Sequence, residues 1–486
     1  MGVDGAAERI AWLEAENATQ AARIGELETL VAVLLDKLTV LEKLLKSDSS
    51  NSSRPPSLDA GTAKNRRPIA NSRKLNKGVK RSQGKQPGAP GATLRAVPDP
   101  DEVIVHAPTR CRRCGTNIDD AVVVGVSSRQ VFDIPAPTVI VTEHQAQRRR
   151  CVCGCETTAA FPAEATAPAC YGPNVKAYAI YLLCRQHVPH QRCAEALAEM
   201  FGVTVSVGTL NNWLTEAGEA LDTFCATVGV ALGQAPVVHV DETPVRHGKG
   251  KAWFHVCSTS LYTLLWASKT RGHTAIMAGP LATYTGTAVH DRYAAYFSYG
   301  CAHALCNAHL IRNLAGVGIV RSQQPWTDAF INLLTDTNNT VNTAKTAGAT
   351  RLSTPQRTRI RDRWDELCAQ ALTANPAPAS GRARNSYERD SYNLTVALGV
   401  HRDRFLAFIT DFTIPFDNNQ AERDLRMVKL QAKISGEFRS LHGAQRFAKI
   451  RSYISTTTKH GLSVLANLAH LYTTNGAWLP PLAPAT

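Results

Sequence analysis

Nine residues, VVHVDETPV at 237–245, constrain this chain more than any other stretch. Val237 to Val240, with His239 among them, form a β-favouring run of the length of a buried strand, and it ends on an acid pair, Asp241 and Glu242. Open α/β sheets bind ligands at strand ends, which presents Asp241 rather than sinking it. Asp291 stands in a comparable setting, directly after the short run GTAVH and at the head of DRYAAY. A third acid, Glu422, lies in DNNQAERDLR (417–426), which begins with a good helix cap and continues as helix. Two carboxylates from neighbouring strands and one from a helix can converge on two Mg²⁺ or Mn²⁺ ions, which take carboxylate oxygens and keep water and phosphate as their other ligands. Such a pair can clamp the attacking and leaving oxygens of a phosphodiester. Asp241, Asp291 and Glu422 are therefore the expected catalytic residues and metal ligands. Asp417 is the substitute for the third acid, and Glu242 is expected to support the site from behind.

The rest of the chain divides by pattern. At 486 residues it is too long for one ordinary domain. Residues 8–46 carry an unbroken heptad, with Ile10, Asn17, Ile24, Val31, Leu38 and Leu45 at one core position and Leu13, Gln20, Leu27, Leu34 and Leu41 at the other. That is a coiled coil, and β-branched residues at the first position, Leu at the second and one buried Asn favour a parallel homodimer. Between Arg54 and Arg95 eleven Lys or Arg face a single acid, Asp59, among Gly, Pro, Ser and Asn. This reads as a basic disordered linker able to lie along DNA phosphates. Thirteen cysteines without a secretory leader at MGVDGAAERI argue for thiols and metal ligation rather than disulfides. Cys111 and Cys114 form C-x-x-C, and Cys151, Cys153 and Cys155 follow forty residues on in CVCGC. RQVFDIPAP and VIVTEHQAQRRR between them read as the strands of a ribbon that brings these cysteines together around one structural Zn²⁺. Arg112, Arg113, Arg148, Arg149 and Arg150 beside the thiols are placed to touch phosphates.

YGPNVKAYAIYLLCRQHVPHQRCAEALAEMFG and SVGTLNNWL make two helices around a turn at Gly202, with Ser206 as cap, a helix-turn-helix candidate. KAWFHVCSTS and LYTLLWASK supply two more strands, and HTAIMAGPL a crossover helix. CAHALCNAHLIRNL reads as one helix, and so Cys301, His303, Cys306 and His309 are not expected to wrap a metal. Residues 320–410 read as a helical insertion. After Glu422, the helical spacing puts Arg423, Arg426, Lys429 and Lys433 on one face, a phosphate cradle beside the acids. A net charge of +14 agrees with a polyanionic partner. No run approaches the length of a membrane span.

HVDETPV, VHDRYAAY, CNAHLIRNL (306–314), IPFDNNQAERDLR and GEFRSLHGAQRFAKIRSYIST (436–456), in this order, closely resemble the DDE transposases of the insertion sequence 66 family. The resemblance runs over nearly the whole chain. It implies a multidomain α/β protein with a ribonuclease H-like catalytic core, whose acids fall at Asp241, Asp291 and Glu422, separated by 50 and 131 residues. It also implies cleavage of transposon-end DNA and its joining to target DNA, action at the nucleoid in a bacterial cytoplasm, and separately encoded accessory proteins. Cys153-Gly154 matches the family's second Cys-Gly, which selects Cys111, Cys114, Cys151 and Cys153 as zinc ligands with Cys155 as alternative. The expected division is a coiled coil (1–46), the linker (47–100), the zinc module (101–165), the helix-turn-helix-like domain (166–230), the catalytic core (231–319 and 411–460), the helical insertion (320–410) and a tail (461–486). A non-catalytic DNA-binding regulator, and a nuclease that cleaves without joining, are the rival readings.

Overall fold

The computed structural model describes residues 4–46, 94–135, 137–162, 165–248, 250–320, 322–378, 386–473 and 476–481. Most of the stretch read as a basic linker, residues 47–93, lies outside the described residues, as do residues 482–486 of the tail. Helix α1 (Asp4–Lys46) is a single 43-residue helix. Its Ala, Leu and Glu content favours helix throughout. Ile10, Leu13, Ile24, Leu27, Val31, Leu34, Leu38 and Leu41 are all exposed in the single chain.

Residues 94–162 are largely irregular. Of the two runs expected as strands, only the end of the second forms a ladder: β1 (Arg148–Arg150) pairs antiparallel with β2 (Glu156–Thr158) across CVCGC. Val131, Ile134, Ile140 and Val141 are exposed instead. β-Propensity is mainly a preference for packing on a half-buried surface, and here those side chains meet no such surface. α2 (Pro173–Ile180) opens on a proline whose missing N–H is no loss at a helix start, and continues through a π turn at Tyr181–Arg185. α3 (His190–Phe201) ends on Gly202, which takes the left-handed φ of 68°. α4 (Val207–Glu219) is capped by Ser206, whose hydroxyl accepts from the Thr209 amide at 3.0 Å. α5 (Asp222–Gln234) leads into the sheet.

The sheet has β3 (Val237–His247), β4 (Gly250–Ser258) and β5 (Thr263–Ser268) as an antiparallel meander. HTAIMAGPL, expected as a full crossover helix, makes only the one-turn α6 (His273–Ile276) and a 3₁₀ turn at Pro280–Thr283. A Cβ at Gly279 would sit 2.5 Å from the Trp266 ring, and the Trp266 indole donates to the Ala275 carbonyl at 2.8 Å. The chain is pressed against that indole, and Gly279-Pro280 ends the helix there. β6 (Thr287–His290) and β7 (Ala302–Leu305) then run parallel to β3, giving the order β5-β4-β3-β6-β7. The single helix expected over CAHALCNAHLIRNL is corrected: pairing with β6 captures its first part as β7, and α7 (Asn307–Val317) starts only after Cys306.

α8 (Gln324–Thr346), α9 (Thr354–Ala374), α10 (Ser386–Val400) and the one-turn α11 (Arg402–Phe405) and α12 (Ala407–Thr410) fill the long interval before the third acid. Trp326, Phe330, Trp364 and Phe405 form a core there that continues through Leu310 of α7 to Val289 and Leu305 of the sheet. α13 (Asn419–Ser435) and α14 (Leu441–Lys459) return to the sheet, burying Leu425, Val428 and Ile450 in a core that includes Val238, Val240, Phe254 and Leu265. Hydroxyls of α14 serve the open edge of β5: Ser452 accepts from the Leu265 amide at 2.8 Å and Thr456 from the Thr263 amide at 3.1 Å. α15 (Val464–His470) is the last helix among the described residues. Among the described residues no helix is long and apolar enough to cross a membrane.

Candidate acidic site

The site begins with strand register. β3 and β6 run parallel with His239 opposite Val289. Side chains alternate with period two, so two residues further on Asp241 and Asp291 come side by side on one face. β6 ends at His290, and Asp291 leaves the ladder. Arg292 then takes φ 78°, a left-handed conformation uncommon for a long side chain, which turns the backbone away sharply. Asp241 Oδ1 accepts from the Glu242 amide at 2.8 Å and Asp291 Oδ1 from the Tyr293 amide at 2.9 Å. Asp241, Glu242 and Asp291 each bring a carboxylate oxygen within 4.8 Å of the others. Burial, then Glu242 and Asp291, and more weakly Glu422, raise the Asp241 carboxyl well above the usual carboxylate range.

Glu242 is buried and fully engaged. Arg271 Nε and Nη2 donate to its Oε1 at 2.8 and 2.6 Å, and the Tyr296 hydroxyl donates to Oε2. The guanidinium lies 3.8 Å over the Tyr293 ring and 5.0 Å over that of Trp253. Burial and Asp291 still raise the Glu242 carboxyl, with Tyr296 and Arg271 opposing.

Glu422 comes from the first turn of α13, and Asn418 aims that helix. Fully buried, Asn418 donates through Nδ2 to the Val240 carbonyl at 2.8 Å, sets Oδ1 2.9 Å from His239 Nδ1, and donates its amide to Cys306 Sγ at 3.1 Å. One turn later Glu422 comes beside Cys306 and His309, which follow the end of β7. Sequence reasoning missed Asn418, although DNNQ carries the cap signal; nothing in the string tells which Asn is buried. Asp417, the substitute acid, accepts from the Asn419 amide at 3.0 Å and from its Nδ2 at 2.6 Å, so its carboxylate is occupied in capping the helix.

Glu422 Oε1 is buried without a hydrogen-bond partner, 3.6 Å from His309 Nδ1, which is also buried and unpartnered. Cys306, His309 and Glu422 have ligand atoms within 4.8 Å of one another. Burial and Arg312 lower the His309 pKa, while Glu422 and Asp291 oppose them. Cys301 and His303 diverge from this group because they flank and join β7; His303 Nδ1 lies 3.2 Å from His290 Nε2.

The remaining predicted residues fall on the exposed face of α13 and in the cysteine-bearing region before α2. Arg423, Arg426, Lys429 and Lys433 are exposed on α13, with Arg423 donating to Gln420 Oε1 at 2.8 Å. Cys111–Cys114 and Cys151–Cys153 occupy two similar tight turns, closed by the Gly115 and Gly154 amides on the Cys111 and Cys151 carbonyls, both at 2.9 Å. The Thr116 hydroxyl draws the Cys114 thiol down to about 7, and the Cys153 amide lowers that of Cys151. Among the described residues these cysteines and Cys155 do not come within 4.8 Å of one another as a set of three or more. Arg112 and Arg113 are exposed, Arg148 and Arg150 pair with Glu156 at 3.7 and 2.6 Å, and Arg149 donates to Gln147 Oε1 at 2.7 Å.

Compared with known families, residues 168–446 match the model described as Transposase IS66 family. Residues 9–95 match a family of unknown function (DUF6444). No curated protein matches the chain. The first match takes in the whole sheet, all three acids and Asn418.

Proposed function

The chain belongs to the IS66 family of transposases, and on that premise we propose that it cuts transposon-end DNA and joins it to target DNA by metal-dependent phosphoryl transfer at Asp241, Asp291 and Glu422. The observation that carries this reading is the pairing of Asp241 and Asp291, whose carboxylate oxygens lie within 4.8 Å at the ends of β3 and β6; Glu422, on α13 beside Cys306 and His309, joins them in this reading through the family resemblance. The donor set fits hard divalent ions: the carboxylates of Asp241, Glu242 and Asp291 crowd until Asp241 resists ionising. Two Mg²⁺ or Mn²⁺ ions held by these acids would supply the positive charge that activates a water or a 3′-hydroxyl and steadies the departing oxygen.

The chain's own residues do the rest. Asn418 sets the height and direction of Glu422 against β3. Arg271 and Tyr296 occupy both carboxylate oxygens of Glu242, so that it backs the site without competing for its ligands. The exposed Arg423, Arg426, Lys429 and Lys433 run from the acids along α13 and would hold DNA phosphates, fixing the scissile bond by positioning. Three antiparallel strands followed by two parallel ones support the ribonuclease H-like core. The paired cysteine turns support a zinc-bound module at Cys111, Cys114, Cys151 and Cys153, with Arg112, Arg113 and Arg148 to Arg150 on DNA. The capped α3–α4 pair supports a helix-turn-helix role, and the exposed heptad of α1 a coiled-coil homodimer.

Asp241→Asn, Asp291→Asn and Glu422→Gln keep side-chain size and remove one charge each. Every one should abolish cleavage and joining of labelled end DNA in Mg²⁺ and Mn²⁺, while gel-shift binding of the same probe persists. Because the acids act as a unit, a double substitution should be no worse than a single one. Full cleavage by Glu422→Gln removes that residue from the set. Cleavage without joining by the native chain favours the plain nuclease.

A further inference from the structure

Three side chains beside the acids carry a donor chemistry that phosphoryl transfer does not require. Cys306 caps α7, His309 lies one turn into it, and Glu422 reaches them from α13. Their ligand atoms sit within 4.8 Å of one another. His309 Nδ1 and Glu422 Oε1 face each other at 3.6 Å, within ion-pair range but too far for a hydrogen bond, and both atoms are buried without a hydrogen-bond partner. Buried polar atoms in that state are costly, and two of them aimed at one point call for a shared positive partner. The third member, Cys306, is itself buried, and its sulfur accepts the Asn418 amide at 3.1 Å, the kind of outer hydrogen bond that orients a sulfur ligand.

We propose that Cys306 Sγ, His309 Nδ1 and the Glu422 carboxylate form a binding site for a zinc-class ion, chemically distinct from the all-oxygen group of Asp241, Glu242 and Asp291. One sulfur, one imidazole nitrogen and one carboxylate are a zinc or cobalt donor set, whereas Mg²⁺ selects oxygen alone. In a tetrahedral site the nitrogen and oxygen ligands stand about 3.4 Å apart, given metal–ligand distances near 2.0–2.1 Å. The observed 3.6 Å is close to that edge. On binding, the thiol proton leaves to solvent as the sulfur–metal bond forms, with no change of oxidation state. His309 and Glu422 are each about a quarter exposed, at 24% and 26%, which gives an ion access from one side. Occupancy would engage Glu422, the acid that the transposase reading shares between both groups.

The test is a Co²⁺ titration of the full chain with Cys111, Cys114, Cys151, Cys153 and Cys155 replaced by serine, so that the paired cysteine turns do not contribute. A thiolate-to-cobalt charge-transfer band should grow to one equivalent, bleach on adding Zn²⁺, and survive millimolar Mg²⁺. Cys306→Ser should abolish the band. His309→Asn should weaken Co²⁺ binding by roughly 10-fold or more, and it decides the matter if Cys306→Ser fails to fold. Absence of the band, a band that both variants leave unchanged, or displacement by Mg²⁺ would overturn the proposal. Because no DNA is present, the site can fail while the transposase reading stands, and the reverse.

Discussion

Burial and the carboxylates of Glu242, Asp291 and Glu422 raise the Asp241 carboxyl well above the usual range, and Glu242 moves the same way. In the folded chain Asp241 therefore holds its proton to higher pH than it does unfolded. Its contribution to stability is complete below the ordinary carboxylate value of about 4, declines as pH rises toward the folded value, and is lost above it. Asp241→Asn removes the charge and keeps the shape. Without divalent ions at neutral pH it should melt about 2–4 °C higher than the native chain, the shift that roughly 1 kcal/mol produces in domains of moderate size. The gap should close as pH falls through about 4, where both states of the native chain are protonated. Calorimetry at both ends of that range decides it, and a native chain more stable than the variant at neutral pH would mean that existing groups already compensate the charge. Sequence carried much of this site, since Asp241 and Asp291 each end a short β run and the 50-residue interval matches the parallel register. It could not carry Asn418, because a cap signal says nothing of three partners contributed by β3 and the start of α7.

Helix α13 combines two faces with different duties. Ala421, Leu425 and Val428 are buried, while Arg423, Arg426, Lys429 and Lys433 project to solvent. This amphipathic spacing was readable directly, because a 3.6-residue period is local. Elements whose state depends on a neighbour were not. β7 looks helical until β6 claims its backbone, the crossover helix is cut short by the Trp266 ring under Gly279, and the valine-rich runs before Arg148 lack a surface to pair on. If the solvent face of α13 follows phosphates, replacing Arg426, Lys429 and Lys433 together with alanine should weaken binding to any duplex, whatever its sequence. Each lost phosphate contact should reduce the slope of log affinity against log salt by about 0.9, so roughly 2 to 3 in all. Fluorescence anisotropy at several salt concentrations measures it. An unchanged slope would make this face an ordinary solvated stripe.

At the scale of the whole molecule, the described heptad residues of α1 from Ile10 to Leu41 are exposed in the single chain. A 43-residue helix extends about 65 Å at 1.5 Å per residue, and the stripe from Ile10 to Leu41 is exposed along it. An isolated helix with such a stripe is poorly stabilised in water, and pairing with a second copy buries it by knobs-into-holes packing. The heptad is visible in sequence because it is a one-dimensional pattern, whereas the relation of the two chains is not. Asn17 at a core position also restricts the outcome, since an amide there is satisfied across a two-chain interface and fits larger bundles badly. The full chain should therefore sediment as a dimer at micromolar concentration, and a chain lacking residues 1–46 as a monomer with its melting transition retained. Asn17→Leu should keep association but broaden it toward trimers and tetramers, because the residue that penalises them is gone. A full-length monomer at tens of micromolar would end the coiled-coil reading. A dimer that survives removal of α1 would instead place the contact in the body of the protein, and the exposed heptad would then need a partner other than a second copy of the chain.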